Sequence, residues 1–181
     1  MGLNSTKSLL NIRGELTFMD FIVNQIMHLR NAYKNEVRFL LMNSFSTSEE
    51  TKKFLLKYPE LGLPEKLELI QNMIPKIDAE TYEAVTCDHS PELEWCPPGH
   101  GDIYAALLGT GMLDTLVDSG VKYAFISNSD NLGATLDFKL LNEFLNSDSS
   151  FMMEVTRRTD VDKKGGHLAK DFKNGNFSFP S

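Results

Sequence analysis

The stretch that decides the fold is residues 95–134, WCPPGHGDIYAALLGTGMLDTLVDSGVKYAFISNSDNLGA. A Pro pair and a Gly-His-Gly loop lead to Asp102. The pattern places Asp102 to cap a helix over residues 103–116, where apolar side chains recur at helical spacing. Residues 123–126, YAFI, follow Gly120 and end in a polar cluster. Such a short, bounded apolar run predicts a buried parallel strand.

Polar side chains follow that predicted strand. In open α/β sheets, ligands bind outside the carboxyl ends of the strands, and Asn128, Asp130 and Asn131 occupy that position here. An aspartate there can hold a divalent cation, and an asparagine can bind a sugar or a base. Gly99 and Gly101 let the backbone approach a nucleotide closely. A capped helix, a strand and a polar exit loop without any ligand fit the same spacing.

The N-terminal half alternates helix and strand patterns. Thr17 and Asp20 have the spacing of a capping box and open an amphipathic helix. Residues 37–42 and 67–70 are apolar runs of strand length. The alternation predicts an α/β fold with a parallel sheet. Between the two strands we expect a helix to about residue 58, with two candidate capping boxes, Ser46 with Glu49 and Thr47 with Glu50.

The remaining segments are predicted in less detail. Residues 78–94 are acidic without clear periodicity and indicate a solvated connection rather than a metal cluster. Residues 136–145 have the spacing of a helix with a buried apolar side, and residues 151–155 form a further strand pattern. Asn174-Gly175 is a typical two-residue hairpin turn.

Composition narrows the class of protein. A length of 181 residues suits one domain or part of a larger one. The formal charge of −7 argues against nonspecific binding to nucleic acid or to anionic membranes. No apolar run approaches the roughly 18 residues that span a membrane. Cys87 and Cys96 are more typical of free thiols in a reducing cytosol than of a disulfide, which predicts a cytoplasmic protein.

Two motifs in the central stretch resemble one known family. PPGHGD at residues 97–102, followed by SNxDNLGA at residues 127–134, is similar to the UTP–glucose-1-phosphate uridylyltransferases, also called UDP-glucose pyrophosphorylases. The resemblance implies a Rossmann-like, mostly parallel sheet flanked by helices, of the nucleotide-diphospho-sugar transferase type and incomplete here. Residues 1–181 are then part of the catalytic domain. The family's C-terminal β-helical domain, with its oligomerisation region, is expected to be absent.

The resemblance assigns residues to the nucleotide. The family's glycine-rich loop ends in Met-Gly with a lysine shortly after, which corresponds to Gly2 and the catalytic Lys7. The front of that loop has no counterpart in this chain, and Thr6 stands where many relatives carry proline. Lys7 is expected to stabilise the triphosphate as a point cation. Gln71 and the Gly99 backbone are expected to hold uracil.

The same resemblance assigns the remaining site. His100 is expected to donate to a phosphate of the sugar nucleotide, and Asn128 and Ser129 to bind substrate. Gly166 corresponds to a glycine near the hexose. Asp130 is expected to bind Mg²⁺, which prefers hard oxygen ligands.

The implied reaction is uridylyl transfer from UTP to glucose 1-phosphate, giving UDP-glucose and pyrophosphate. Two alternatives stay open, a truncated nucleotide-binding fragment without activity and an enzyme of the UDP-N-acetylhexosamine pyrophosphorylase type. The expected partners are UTP and glucose 1-phosphate, with no nucleic acid and no membrane.

Overall fold

The computed structural model describes residues 6–157, 159–160, 169–170 and 177–178. The chain divides into two compact units, Met1–Leu136 and Asp137–Ser181. Three sequence predictions lie outside the described residues. They concern Gly2, Gly166 and the Asn174-Gly175 turn.

The first long helix of unit one begins as its sequence predicts. Helix α1 spans Phe18–Tyr33, and Thr17 is its N-cap. The Thr17 hydroxyl accepts from the backbone nitrogen of Asp20 at 3.2 Å, and the Asp20 carboxylate accepts from the backbone nitrogen of Thr17 at 2.6 Å. The capping box is therefore confirmed, and it satisfies two backbone donors that a bare helix end leaves unpaired.

The core of unit one lies between α1 and α2, which spans Ser48–Leu55. Thr51 and Leu55 on α2 are almost completely buried. Neither predicted capping box forms at this helix, because the Thr47 hydroxyl accepts from the backbone nitrogen of Ser44 and the Ser46 hydroxyl bonds to that of Ser44. The buried apolar cluster consists of Met19, Val23, Phe39, Phe54, Leu55, Leu61 and Leu67.

The sheets of unit one are small and mixed. Strands β3 (Leu41–Asn43) and β4 (Glu68–Ile70) pair in parallel. Two further pairs are antiparallel, namely β1 (Asn11–Arg13) with β2 (Leu16–Thr17), and β5 (Ile74–Pro75) with β6 (Trp95–Cys96). The structure is thus α/β with short sheets. Short 3₁₀ turns cover Lys7–Leu9, Pro59–Leu61, Pro64–Lys66 and Pro91–Glu94.

Two predicted strands of unit one differ from the structure. The run at residues 37–42 forms a strand only in its last part, within β3. Residues 123–126 are not a strand, and Tyr123, Phe125 and Ile126 are about half exposed. An apolar run becomes a strand only where a neighbour completes the ladder, and no described strand pairs with this run.

The central helix is also shorter than predicted. Helix α3 spans Asp102–Gly109 and helix α4 spans Met112–Asp118. The break lies at Gly111, which has a left-handed φ of 70° that ends the helical path. Two short helices therefore replace the single helix expected over residues 103–116.

Unit two contains one helix and one strand pair among its described residues. Helix α5 spans Phe138–Asn146, and the Asp137 side chain caps it by accepting from the backbone nitrogen of Lys139 at 2.7 Å. The predicted buried side is wrong, because none of its residues is buried. Residues 151–155 are exposed and are not a strand. Strands β7 (Ala169–Lys170) and β8 (Phe177–Ser178) pair antiparallel.

Candidate functional site

The turn that carries Lys7 is held at both of its ends. Thr6 donates twice to one carboxylate oxygen of Glu50, from its backbone nitrogen at 2.8 Å and from its hydroxyl at 2.7 Å. On the other side, Ser8 is buried and Leu9 packs against the core. The backbone nitrogen of Leu9 donates to the Thr6 carbonyl at 2.9 Å and closes the turn. Lys7 therefore lies on a fixed backbone.

Lys7 and Asp130 form an ion pair across 123 positions of sequence. The Lys7 side chain is 53% exposed and the Asp130 side chain 34% exposed, so the pair is open to a ligand. The hydrogen bond from Lys7 lowers the pKa of Asp130, with partial burial opposing it and the field of His100 adding to it. Asp130 is consequently a carboxylate at neutral pH, paired with the Lys7 ammonium group.

The loop around Asp130 is attached to α1. The Gln25 side chain donates to the carbonyl of Leu132 at 3.4 Å, and the backbone nitrogen of Asn131 donates to the Asn128 carbonyl at 3.1 Å. Asn128 is exposed and Ser129 is half-buried. Although the preceding residues are not a strand, the polar cluster is still presented at one fixed place.

Asp102 binds Asn72 rather than capping α3. Its carboxylate accepts from the Asn72 backbone nitrogen at 2.6 Å and from the Asn72 side-chain amide at 2.9 Å. The N-cap residue of α3 is Gly101, and no side-chain cap bond is present there. Since the Gln71 backbone nitrogen also donates to the Asn43 carbonyl at 2.9 Å, Gln71 is fixed between β3 and the Gly-His-Gly loop.

Within the Gly-His-Gly loop, Gly99 has a backbone conformation that favours glycine. Its φ of 119° lies where side chains with a Cβ are strained, and an added Cβ would meet open space. The Gly99 carbonyl accepts from Asp102 at 3.1 Å and the His100 carbonyl from Ile103 at 3.2 Å, which forms a tight turn. Gly101 has an ordinary φ of −63°, so glycine is required at only one of the two positions.

The structure thus gathers residues from three distant segments around the loop of residues 97–102. His100 acts electrostatically on Asp130, which Lys7 contacts, and Asp102 holds the segment that carries Gln71. A lysine cation, an aspartate and an open glycine backbone suit an anionic, phosphate-bearing ligand. These features define the class, an α/β protein with a candidate phosphate-ligand site.

Three residues that organise this site have no role in it in the sequence analysis, which places one of them, Glu50, in a capping box. They are Glu50, Asn72 and Gln25. Each acts through a partner at least 30 positions away, so no local spacing indicates it. For Asn72, the sequence offers the acidic residue of PPGHGD as a signal, but the pattern there predicts a helix cap.

No protein-only metal centre is formed by the described residues, since none of their His, Cys, Asp and Glu side chains cluster in groups of three or more. No helix within the described ranges is long and apolar enough to cross a membrane.

Comparison with known proteins assigns the family. The family model for UTP–glucose-1-phosphate uridylyltransferase matches residues 1–177. A probable UTP–glucose-1-phosphate uridylyltransferase of Schizosaccharomyces pombe is 42% identical over 93% of this chain, and the match covers 33% of that relative. This chain belongs to the UTP–glucose-1-phosphate uridylyltransferase family. It spans about a third of the length of the curated relatives that it matches.

Solved structures agree with this assignment. A UDP-glucose phosphorylase of Trypanosoma brucei is 50% identical with a TM-score of 0.93, over 99% of this chain and 39% of that one. A mutant UDP-glucose pyrophosphorylase of Leishmania major, in complex with UDP-glucose, is 47% identical with a TM-score of 0.86, over 94% of this chain and 36% of that one.

Proposed function

We propose that the protein transfers a uridylyl group from UTP to glucose 1-phosphate, giving UDP-glucose and pyrophosphate. A phosphate oxygen of glucose 1-phosphate forms a bond to the α-phosphorus of UTP. The bond from that phosphorus to the oxygen bridging to the β-phosphorus breaks, and pyrophosphate leaves with the electron pair. Family membership and the named relatives support this reaction.

The contact between Lys7 and Asp130 carries the proposal. Phosphoryl-type transfer needs little covalent chemistry from the protein, so positioning and charge stabilisation account for most of the rate. Lys7 supplies a point cation for the triphosphate, and Asp130 holds it in a fixed place until the ligand binds. The partial exposure of both side chains supports direct contact with substrate.

Uracil recognition is assigned to Gln71 and Gly99. A side-chain amide can donate and accept at once, which matches the imide edge of uracil. The φ of Gly99 and its freedom from a Cβ support a close approach of the base to the backbone. Asp102 joins the segments that carry the two residues by binding Asn72.

The remaining roles concern phosphates and sugar. His100 donates to a phosphate of the sugar nucleotide, and its electrostatic influence on Asp130 supports that position. Asn128 and Ser129 bind substrate beside Asp130. Gly2 at the triphosphate and Gly166 near the hexose complete the proposal by resemblance, since both lie outside the described residues.

Mg²⁺ is the proposed cofactor, and the donor set of this chain fits it. Mg²⁺ commonly binds one or two carboxylates and completes its shell with waters and substrate phosphates, so Asp130 as the protein ligand suffices. When bound, Mg²⁺ neutralises charge on the phosphate oxygens. The hydrogen bond from Lys7 lowers the pKa of Asp130, so this ligand is a charged carboxylate at neutral pH.

We further propose that this chain is part of a catalytic domain with a Rossmann-like, mostly parallel sheet. The parallel pairing of β3 with β4 and the similarity to the solved relatives support that architecture. A cytoplasmic location is proposed as well, because both cysteines are free thiols.

The experiment is an assay of pyrophosphate release from UTP. Purified protein is given Mg²⁺, UTP and either glucose 1-phosphate or N-acetylglucosamine 1-phosphate. We expect release with glucose 1-phosphate and a loss of about 100-fold or more in Lys7→Met, as is typical for a group that stabilises transition-state charge. Preference for the N-acetylated sugar, or full activity of the variant, would overturn the assignment.

A further inference from the structure

Glu50 makes a contact that the proposed reaction does not use. It lies in the first turn of α2, and one of its carboxylate oxygens accepts both hydrogen bonds from Thr6. The backbone nitrogen and the hydroxyl of Thr6 are bound at 2.8 Å and 2.7 Å, distances typical of charge-assisted bonds. The residue after Thr6 is Lys7.

The support beneath Glu50 is rigid. Its helix neighbours Ser48 and Thr51 are buried, and the Ser48 hydroxyl donates to the Glu68 carboxylate on β4 at 2.9 Å. Helix α2 therefore cannot move without disturbing the core and the parallel strand pair. A carboxylate on such a helix is a stable anchor for a turn near the start of the chain.

Beyond Lys7, the turn is fixed again by the buried Ser8 and by Leu9, which packs on the core. Lys7 thus stands between two anchors, the bond to Glu50 on one side and the core on the other. Its ammonium group reaches Asp130 from this position.

We propose that Glu50 is a positioning residue for Lys7, which it holds in place through Thr6 for contact with the triphosphate. The proposal rests on the function proposed above for Lys7. Ordering a mobile side chain on binding costs affinity, and a pre-ordered lysine avoids that cost. Without the bond to Glu50, Lys7 would have to be ordered when UTP binds, and the affinity for UTP would fall by roughly 3- to 10-fold.

The direction in which UTP affinity changes when Glu50 is removed distinguishes a positioning role from a purely electrostatic one. Glu50 is an anion near a site for a polyanion, so electrostatics alone predicts that its removal strengthens UTP binding. A positioning role for Glu50 predicts that its removal weakens UTP binding. Glu49 provides a matched control, because it is an exposed acid in the same first turn and pairs with Lys52 rather than with the site.

The experiment measures the Kd of Mg²⁺-UTP by calorimetry. We expect weakening of about 3- to 10-fold in Glu50→Ala and in Thr6→Val, which loses the hydroxyl donor. Thr6→Ser keeps both donors and should bind as the wild type does, and so should Glu49→Ala.

In a Lys7→Met background, Glu50→Ala should change the Kd no further, because its effect passes through Lys7. Tighter binding by Glu50→Ala, or equal weakening by Glu49→Ala, would overturn the proposal.

A second measurement needs no ligand. An amine-reactive acylating reagent is applied, and the labelling of Lys7 relative to the exposed Lys122 is read by peptide mass spectrometry. We expect faster labelling of Lys7 in Glu50→Ala and no change in Glu49→Ala, whereas unchanged Lys7 labelling in Glu50→Ala would refute the positioning role. A wild-type chain that does not bind UTP would count against the proposed function, and the labelling result would then decide the role of Glu50 separately.

Discussion

Both carboxylate oxygens of Asp102 accept hydrogen bonds from Asn72, one from the backbone nitrogen at 2.6 Å and one from the side-chain amide at 2.9 Å. The two residues are 30 positions apart, yet this contact joins the segment of Gln71 to the Gly-His-Gly loop. The two elements proposed to hold uracil are therefore tied to each other by one side chain.

Replacing Asp102 with alanine should loosen the proposed uracil site. The substitution removes two hydrogen bonds, one of them to the backbone, and we expect UTP binding to weaken by about 1 kcal/mol, or roughly fivefold. Preference for UTP over CTP should fall as well, because Gln71 loses its fixed position. Calorimetric titration with both nucleotides measures the two effects.

The matched control for this experiment is Asp114→Ala, which removes an exposed acid from the neighbouring helix α4. Unchanged UTP affinity in Asp102→Ala, or an equal loss in Asp114→Ala, would show that the contact does not support the uracil site.

The Lys7–Asp130 pair makes a prediction about titration. Because the hydrogen bond from Lys7 is the main cause of the lowered pKa of Asp130, Lys7→Met should raise that pKa towards the ordinary aspartate value of about 3.9. NMR titration of the Asp130 carboxyl carbon provides the measurement. Lys52→Met removes a lysine bound to Glu49 and should leave the Asp130 titration unchanged. An unmoved Asp130 titration in Lys7→Met would contradict the ion pair.

Asp20 and Tyr58 link α1 to the segment that follows α2 in unit one. The Tyr58 hydroxyl donates to the Asp20 carboxylate, and Asp20 is only 6% exposed. Burial acts to raise the pKa of Asp20, but hydrogen bonds from Tyr58 and Thr17 outweigh it and lower the pKa. Burial together with Asp20 raises the pKa of Tyr58 to about 12.

Tyr58→Phe should destabilise the fold by about 2 kcal/mol near neutral pH, since it removes a hydrogen bond to a charged, buried carboxylate. The lowered pKa of Asp20 means that this contribution is present above about pH 4 and is lost as the pH falls further. The raised pKa of Tyr58 means that it is present below about pH 10 and is lost as the pH rises towards 12.

Urea unfolding of wild type and Tyr58→Phe across this pH range tests the prediction. The difference between the two free energies of unfolding should be greatest from about pH 5 to pH 9 and shrink on both sides. Tyr104→Phe, on the exposed surface of α3, should show no such difference. If the difference in the free energy of unfolding between wild type and Tyr58→Phe did not depend on pH, the Asp20–Tyr58 hydrogen bond would not be the cause of that difference.

Sequence reasoning succeeds here where the interaction is local. Thr17 and Asp20 satisfy each other within one helical turn, so their spacing alone predicts the start of α1. It fails where the partner is distant. The sequence predicts Asp102 as a helix cap, but Asp102 is the first residue of α3 and its carboxylate accepts two hydrogen bonds from Asn72.

Residues 123–126 show that a strand, too, cannot be predicted from local spacing when it depends on a distant partner. Their apolar pattern is that of a buried strand, yet strand formation depends on a neighbouring ladder that spacing within the run cannot reveal. The motifs of the candidate site lie in the loops themselves, so the sequence alone is enough to name its candidate residues. What brings Lys7 to Asp130, and Glu50 to Thr6, is a tertiary fold that no short motif encodes.

The most direct test of the central claim is a calorimetric titration of this chain with UTP in the presence and absence of Mg²⁺, beside Asp130→Ala. The account predicts saturable binding of UTP that Mg²⁺ strengthens in the wild type, with that strengthening lost in Asp130→Ala. Circular dichroism establishes that both proteins are folded. Equal, Mg²⁺-dependent binding by the two folded proteins would contradict the claim that Asp130 and Lys7 form the centre of a nucleotide site.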